Sequence, residues 1–503
     1  MRDTDATSAL PTFEGPRCRV HADGNAETHA LAAALIGWLG KEDAGANAHA
    51  IVVAHAADPA SATVADALAS TLTGHGGSCD LLETSLPSVV SHAIIAGAYE
   101  AGILVEGASE HDTQCTLALF GADGLPLDAT SARRLRTCVE APEDHGAATP
   151  GHLGQASHGS DSYLDSLTDA FGALGHVSPP SPVHIACVAP GPACGQVEAA
   201  LSRMASAVEV VAADEGADLG ASLERATELA VGRGFDAALA FDGALAHVAC
   251  AAIGKGGATR LGDDEATELA LAWLLAAPVA PPSTVTLVSD IGSTRAIDAL
   301  AERFDATLVR TLPGADAVSR EVAHQRAASA QDAIVLGITA DAALLVSGAT
   351  GVPCPLALAM ALTGAAAAES ARGTTLEDAL RAIDDEIGCH RATSTAVAFE
   401  TYDHAPLLMM RLRKDERDLI CHMVVTDTCD YLTGQPMPGD PTRTLPFFDA
   451  IGWTLSDGSA LILYADEAAS CGRALILARA DSRSEAQAVS FFLAQEAHVI
   501  LTS

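Results

Sequence analysis

Short apolar runs alternate with amphipathic helical segments along most of this chain, and that alternation limits the fold more than any other feature. The helical segments carry apolar residues three and four positions apart, as Val64, Leu68 and Leu72 do. The clearest strand-like runs are Ile51–Val53, Gly102–Val105, Val183–Val188, Ala237–Phe241, Val285–Val288 and Ile334–Leu336. Strands and helices in alternation predict βαβ crossovers and sheets in which most strands are parallel.

The length of 503 residues predicts three or four domains, because a single hydrophobic core rarely serves so long a chain. Hydrophobic residues make up 49% and aromatic residues only 4%, so the cores must be built from alanine, valine, leucine and isoleucine. A proline-rich linker at 276–283 and changes in the pattern of strand-like and helical segments divide the chain into four predicted domains. Their ranges are 1–160, 161–280, 281–400 and 401–503. We expect three α/β/α domains with mixed, mostly parallel sheets, followed by a C-terminal α+β domain.

The chain has 65 acidic and 28 basic residues, which give a net charge of −37. Such a surface repels nucleic acids and anionic membranes, so we expect neither as a partner. A phosphorylated ligand would also be repelled unless arginines or lysines gathered locally.

The twelve cysteines are scattered singly, which argues against a disulfide framework or a zinc site. We therefore expect reduced thiols and a cytoplasmic protein. The N-terminal residues show no signal-peptide pattern. The longest run without charge or histidine, Ala342–Ala368, is interrupted by Gly348, Gly351, Pro353 and Pro355. It is interpreted as a buried strand, a turn and a buried helix rather than as a membrane span.

The segment Gly102–Leu127, GILVEGASEHDTQCTLALFGADGLPL, resembles the catalytic-serine region of the α-D-phosphohexomutases, the family of phosphoglucomutase and phosphomannomutase. In that family a strand leads into T-A-S-H-N-P, and a second strand ends in a G-x-D-G-x-P-L turn. Aligned without gaps, Ala108 falls where the family has its phosphorylated serine. A slip of one residue would make Ser109 a substitute, but three acidic neighbours surround it with negative charge. The resemblance therefore implies no catalytic nucleophile, with Ser109 as the weaker alternative.

The family's metal loop is D-G-D-x-D-R after a buried strand, where three aspartates hold Mg²⁺. Here the strand and Asp242 match, but Ala244 and Ala246 replace the other two ligands and His247 replaces the arginine. Because Mg²⁺ prefers an octahedron of oxygens, one carboxylate makes a poor site. No metal is expected, and Asp242 is interpreted as a turn residue at the strand end.

For two further loops of the family, only the flanking strands and turns, here called the loop frames, are matched. The residues Ile338–Ala342 replace the sugar-binding G-E-x-S-G-H. Asp457–Ser459 matches the turn before the phosphate-binding loop R-P-S-G-T-E-P, but Asp466 and Glu467 stand where phosphate would dock. Arg473 is the one candidate for a phosphate-binding arginine.

The resemblance covers nearly the whole chain and assigns one vestigial loop to each domain in turn: serine, metal, sugar and phosphate. It implies a diverged, catalytically inactive member, a pseudoenzyme with a binding, regulatory or scaffolding role and an unknown protein partner. Two alternatives stay open. One is an active phosphohexomutase, an intramolecular phosphotransferase of the isomerase class in carbohydrate metabolism, which would act on sugar phosphates with Mg²⁺. The other is a central cleft that binds a different, non-phosphorylated ligand.

Overall fold

The structure is a computed structural model in which the chain forms two compact units. Unit 1 comprises Met1–Ala170 and Ser347–Cys354, and unit 2 comprises Phe171–Val346 and Pro355–Ser503. The residues that the structure describes are 10–14, 17–21, 25–42, 49–56, 58–82, 86–107, 114–141, 150–176, 181–214, 216–243, 245–276, 285–329, 333–399, 404–415, 417–433, 436–437, 440–444, 448–466 and 471–502.

Unit 1 is built on a seven-stranded mixed sheet. The strands are β1 (Thr12–Glu14), β2 (Arg17–His21), β3 (Ala50–His55), β4 (Ser78–Leu82), β5 (Ala101–Glu106), β6 (Gln114–Gly121) and β7 (Leu153–Gln155). The helices are α1 (Asn25–Glu42), α2 (Pro59–Gly74), α3 (Pro87–Gly97), α4 (Ala129–Glu140) and α5 (Ser160–Ala173), whose last three residues belong to unit 2. The strand order is β1-β2-β6-β5-β3-β4-β7. The pairs among β5, β3, β4 and β7 are parallel, and those among β1, β2, β6 and β5 are antiparallel.

Helix α2 shows how local sequence places an element on this sheet. The Asp58 carboxylate caps the helix by accepting a hydrogen bond from the Ser61 N–H at 2.9 Å, and Pro59 occupies the first turn. The predicted stripe of Val64, Leu68 and Leu72 is buried in the core of unit 1.

The segment 347–354 belongs to unit 1, although the chain on either side of it belongs to unit 2. Helix α3 holds it with side chains. The Gly351 N–H donates to the Ser91 hydroxyl at 2.9 Å, and the Ala349 carbonyl lies 2.8 Å from Nδ1 of His92. Burial lowers the pKa of His92, so its ring is neutral near pH 7 and Nδ1 donates to that carbonyl.

The second sheet opens unit 2 and matches the predicted alternation. Its strands are β8 (Ser181–Ala189), β9 (Ala205–Ala212), β10 (Ala237–Phe241), β11 (Val248–Gly254) and β12 (Gly257–Leu261). Its helices are α6 (Cys194–Leu201), α7 (Leu219–Arg233) and α8 (Asp263–Ala276). The order is β12-β11-β10-β8-β9, with β9, β8 and β10 parallel and the other two antiparallel. Helix α7 ends at Arg233, and Gly234 after it takes the left-handed conformation at φ 69°.

The third sheet has four strands in the order β14-β13-β15-β16. They are β13 (Val285–Asp290), β14 (Thr307–Thr311), β15 (Ile334–Ile338) and β16 (Leu344–Val346). The helices are α9 (Ala296–Arg303), α10 (Ala315–Ala328), α11 (Pro355–Arg372) and α12 (Leu376–Ile387). The long uncharged run forms β16, a turn and the buried helix α11, as predicted. Among the described residues, no helix combines the length and the apolar character needed to cross a membrane.

The fourth sheet is antiparallel, with the order β17-β24-β23-β22-β19-β18. Its elements, with a separate β20–β21 hairpin, are β17 (Cys389–Ala398), α13 (His404–Leu412), β18 (Leu419–Ile420), β19 (Met423–Asp430), β20 (Pro436–Met437), β21 (Asp440–Thr444), β22 (Ala450–Leu455), β23 (Ala460–Asp466), β24 (Cys471–Ala480) and α14 (Arg483–Thr502). Helices α13 and α14 cover a core that contains Trp453. Strand β17 joins this sheet from a position before residue 401.

The predicted fold class is therefore confirmed: three mixed sheets with alternating helices precede an antiparallel C-terminal sheet. The four domain ranges themselves stay predictions.

Close packing of α10 on β15 yields a stability test. A Cβ at Gly337 would lie 2.8 Å from Cγ2 of Val322 and 2.9 Å from Cγ1 of Val318. We expect Gly337→Ala to lower the free energy of unfolding by about 1–3 kcal/mol, because an overpacked core must shift. Urea denaturation measures the change. The control is Gly195→Ala in α6, where a Cβ would meet nothing within 4 Å and stability should hold or rise. A Gly337→Ala protein as stable as the parent would contradict the packing.

Candidate functional site

The first of the four loops follows β5 in unit 1. Ala108 and Ser109 lie outside the described residues, so their roles stay predictions. The turn that closes the frame is well defined: the Leu125 N–H donates to the Asp123 carboxylate at 3.1 Å. Gly124 adopts φ 71°, and a Cβ there would lie 2.9 Å from a backbone oxygen of α3. The G-x-D-G-x-P-L match thus marks a structural turn in which glycine is required.

An arginine and a glutamate pair beside this loop. Nη2 of Arg17 lies 3.1 Å from Oε1 of Glu106, the last residue of β5. Both side chains are partly exposed, so the pair adds little stability. Its consequence is electrostatic, because the glutamate neutralises a cation at the end of β5, where the predicted serine loop begins.

Asp242 follows β10 and uses its carboxylate to hold its own loop. One oxygen, Oδ1, accepts the N–H of Ala246 at 2.7 Å and the N–H of His247 at 3.2 Å. Its carbonyl accepts the Leu245 N–H at 3.1 Å, and Leu245 sits at φ 53°. Ala244 lies outside the described residues. This geometry is that of a turn residue leading from β10 to β11.

The residues present do not fit Mg²⁺. The ion needs about six oxygens, of which a protein usually supplies two or more carboxylates. Here Oδ1 of Asp242 is committed to two backbone N–H groups, and Ala246 offers no side-chain ligand. Within the described ranges no group of three or more His, Cys, Asp or Glu side chains is placed to hold a metal ion.

The third loop follows β15 and closes on itself. The Thr339 hydroxyl, which is buried, accepts the Ala343 N–H at 3.1 Å, and Ala342 adopts φ 55°. The Ala340 N–H donates to Oδ2 of Asp290 at 3.2 Å. The residues predicted to replace the sugar-binding loop therefore form a tight turn into β16.

A buried arginine beside that loop was not predicted from the sequence. Arg310 on β14 is 2% exposed, and its Nη2 donates to Oδ2 of Asp298 at 2.6 Å. Nη1 donates to the Asp290 carbonyl at 2.8 Å and Nη2 to the Thr294 carbonyl at 3.1 Å, while Nε has no hydrogen-bond partner among the described residues. The guanidinium fastens the loop between β13 and α9. The available signal was a single charge inside an apolar strand, Thr307–Thr311.

The fourth frame keeps its turn. The Ser459 N–H donates to the Asp457 carboxylate at 2.9 Å, and Gly458 adopts φ 87°. At the other end of β23, Nε of Arg473 donates to Oδ2 of Asp466 at 2.7 Å. That bond raises the pKa of Arg473, so the arginine stays charged while an adjacent carboxylate neutralises it. Glu467 lies outside the described residues.

The same arrangement recurs at three of the loops. Each arginine described above donates to a carboxylate of this chain, Arg17 in unit 1 and Arg310 and Arg473 in unit 2. A carboxylate in such a pair occupies the guanidinium as a phosphate would.

No protein-family model and no curated protein matches this chain. Solved structures do match it over almost its full length. A phosphoglucomutase/phosphomannomutase family protein from Burkholderia thailandensis has a TM-score of 0.68 at 13% identity, over 97% of each chain. The phosphoglucomutase pp63/parafusin from Paramecium, in its open form, has a TM-score of 0.67 at 11% identity, over 99% of this chain and 96% of its own.

Identity this low shows the fold alone, and at that level the resemblance read from the four loop frames is confirmed. The chain has the fold of the phosphoglucomutases and phosphomannomutases, the α-D-phosphohexomutases, over nearly its whole length.

Proposed function

We propose that this protein is a diverged, catalytically inactive relative of the phosphohexomutases with a binding, regulatory or scaffolding role toward a protein partner. One observation carries the proposal: arginines beside the vestigial loops are paired with carboxylates of the chain. The pairs are Arg17–Glu106, Arg310–Asp298 and Arg473–Asp466.

Phosphoryl transfer explains why this matters. The reaction needs a nucleophile, a cation and positive charge around the moving group. In the ungapped alignment alanine stands at the nucleophile's position, and Asp242 is engaged with its own loop. Paired arginines would have to give up their carboxylates before binding a phosphate, which makes binding weaker than at a preformed cationic site.

A cytoplasmic location belongs to the same proposal. All twelve cysteines are free thiols, and eight of them are buried. Burial raises the pKa of Cys18, Cys79 and Cys250 to about 12, so these thiols stay protonated and unreactive. Free thiols are usual where the environment is reducing.

The direct test is a mutase assay. We expect no turnover of glucose-1-phosphate or mannose-1-phosphate with Mg²⁺ and a bisphosphate activator, because nucleophile, metal ligands and free cations are all depleted. Intact-mass spectrometry should find no phosphoserine. An active phosphoglucomutase in the same assay is the positive control. Turnover that disappears in Ser109→Ala would instead establish the active-mutase alternative.

The metal loop gives a second test. We expect millimolar Mg²⁺ to leave the melting temperature unchanged relative to NaCl of equal ionic strength, since a bound ion would raise it. Asp242→Ala should lower the free energy of unfolding by about 1–3 kcal/mol, because two backbone N–H groups lose their acceptor. Asp341→Ala, at an exposed loop aspartate, is the control and should change little. A rise with Mg²⁺ that Asp242→Ala abolishes would point to a working metal site.

The Asp466 carboxylate can be removed to release Arg473. We expect Asp466→Asn to make inorganic phosphate raise the melting temperature, whereas the parent protein should respond to phosphate as it does to chloride of equal ionic strength. The double variant Asp466→Asn/Arg473→Gln should lose the response, which assigns it to the arginine. If phosphate stabilises the parent protein to the same degree, the internal pair does not block the site.

A further inference from the structure

A cluster of four carboxylates lies near one guanidinium, on three helices of unit 2. Helix α8 supplies Asp264, Glu265 and Glu268, α12 supplies Asp384, and Arg483 lies at the start of α14. Nε of Arg483 donates to Oδ2 of Asp384 at 2.6 Å, and Nη1 donates to Glu265. One cation thus holds two of the four carboxylates.

This arrangement leaves two buried polar atoms without a hydrogen-bond partner among the described residues: Nη2 of Arg483 and Oε1 of Glu268. Glu268 is 2% exposed. An ionised carboxylate in that state has lost its water without replacement, which is strongly unfavourable. Burial raises the pKa of Glu268 well above its usual range, and the Asp264 charge raises it further against the opposing effect of Arg483. The folded chain therefore favours the protonated form of Glu268.

Asp264 shares the same environment one turn earlier. Its carboxylate accepts the Ala392 N–H of β17 at 2.7 Å, which favours the ionised form. Burial outweighs that bond and raises the pKa of Asp264 to about 7. Two of the four carboxyl groups, Asp264 and Glu268, thus keep their protons to a higher pH than exposed carboxyl groups do.

The surrounding elements add little compensating charge. On β17, Arg391 acts on Asp264, while the Cys389 thiol faces Glu268 and Asp384. Asp263, also on α8, has a raised pKa because it is buried, partly offset by His247 and by Arg260 of β12.

The helices α9 and α11 also pack against α8. The charged residues of α11, Glu369 and Arg372, pair with one another at its last turn, and Arg303 of α9 pairs with Glu386 of α12. Of the other α9 charges, Asp298 pairs with the buried Arg310. Carboxylates therefore outnumber cations at the junction.

We propose that this cluster is a proton-operated junction: with a proton on Glu268 it holds α8, α12 and α14 together, and loss of that proton as the pH rises loosens it. The direction is opposite to that of an ordinary buried salt bridge, in which carboxylates stabilise the fold by being ionised.

The sign of the pH dependence follows from proton linkage. A carboxyl with a raised pKa binds its proton more tightly in the folded chain than in the unfolded one. Its contribution to stability is complete below the ordinary carboxyl pKa of about 4. It is lost as the pH rises through the folded-state pKa, which is about 7 for Asp264. Over that window the folding equilibrium constant should fall by up to about tenfold per pH unit for each proton involved.

The test compares Glu268→Gln with the parent protein in urea unfolding from about pH 5 to about pH 8 at constant ionic strength. Glutamine keeps the shape of the side chain and carries no proton to lose. We expect a shallower decline of stability with pH and a more stable protein than the parent near pH 8. The matched control is Glu321→Gln in α10, a buried glutamate outside the cluster that accepts a hydrogen bond from Gln325 at 2.7 Å. In this control, stability should fall with pH as steeply as in the parent protein. That shared decline contains the effect of general charge repulsion in an acidic chain.

A Glu268→Gln protein with the parent's slope, or with lower stability than the parent near pH 8, would overturn the proposal. Hydrogen exchange of the parent protein gives an independent readout that needs no variant. After correction for the intrinsic exchange rate, amides of α8, α12 and the first turn of α14 should be less protected near pH 8 than near pH 5.5, relative to those of α2. Equal protection at both pH values would also overturn it.

Discussion

An excess of carboxylates over cations is the constraint on which the rest of this structure depends. With 65 acidic and 28 basic residues, a guanidinium that enters the fold meets a carboxylate nearby. Arg310, Arg473 and Arg483 each illustrate this, and in each case the partner is an aspartate or glutamate of unit 2. Strong pairing inside the chain leaves less positive potential for an external anion. Around Glu268 the same excess gathers four carboxylates near one guanidinium, that of Arg483, and Oε1 of Glu268 has no hydrogen-bond partner among the described residues.

The fold survives these changes because it depends on other residues. Strands such as β10 and β15 are specified by small and branched apolar side chains, and their loops by turn chemistry. Asp242 accepts two backbone N–H groups, and Gly458 supplies a positive φ. Neither role requires a phosphate or a metal ion. Apolar strands and turn residues of this kind specify the fold without specifying an activity, which is the general reason that fold and function must be argued separately.

Sequence reasoning succeeded where a pattern was local and periodic. The stripe of Val64, Leu68 and Leu72 and the interrupted run at 342–368 both gave the predicted elements. It failed where the decisive neighbours are distant in the chain. Glu268 lies in DDEATELALAWLLA, an ordinary acidic helix start, and it is buried where elements distant in the sequence, such as α11 and α12, pack against α8. The partner of Glu265, Arg483, is 218 residues away. Strand β17 was likewise missed as part of the fourth sheet, because its alternating polar sequence does not reveal its partner β24.

The return of residues 347–354 to unit 1 has a consequence for how the molecule can be divided. The backbone passes between the units at three peptide bonds, after residues 170, 346 and 354. A single break at any one of them leaves the halves covalently linked. A fragment that ends at residue 170 would lack the backbone groups of Gly351 and Ala349 that satisfy Ser91 and His92. Each unit is therefore made of two separate segments of the chain, and a single cut in the coding sequence cannot separate one unit from the other.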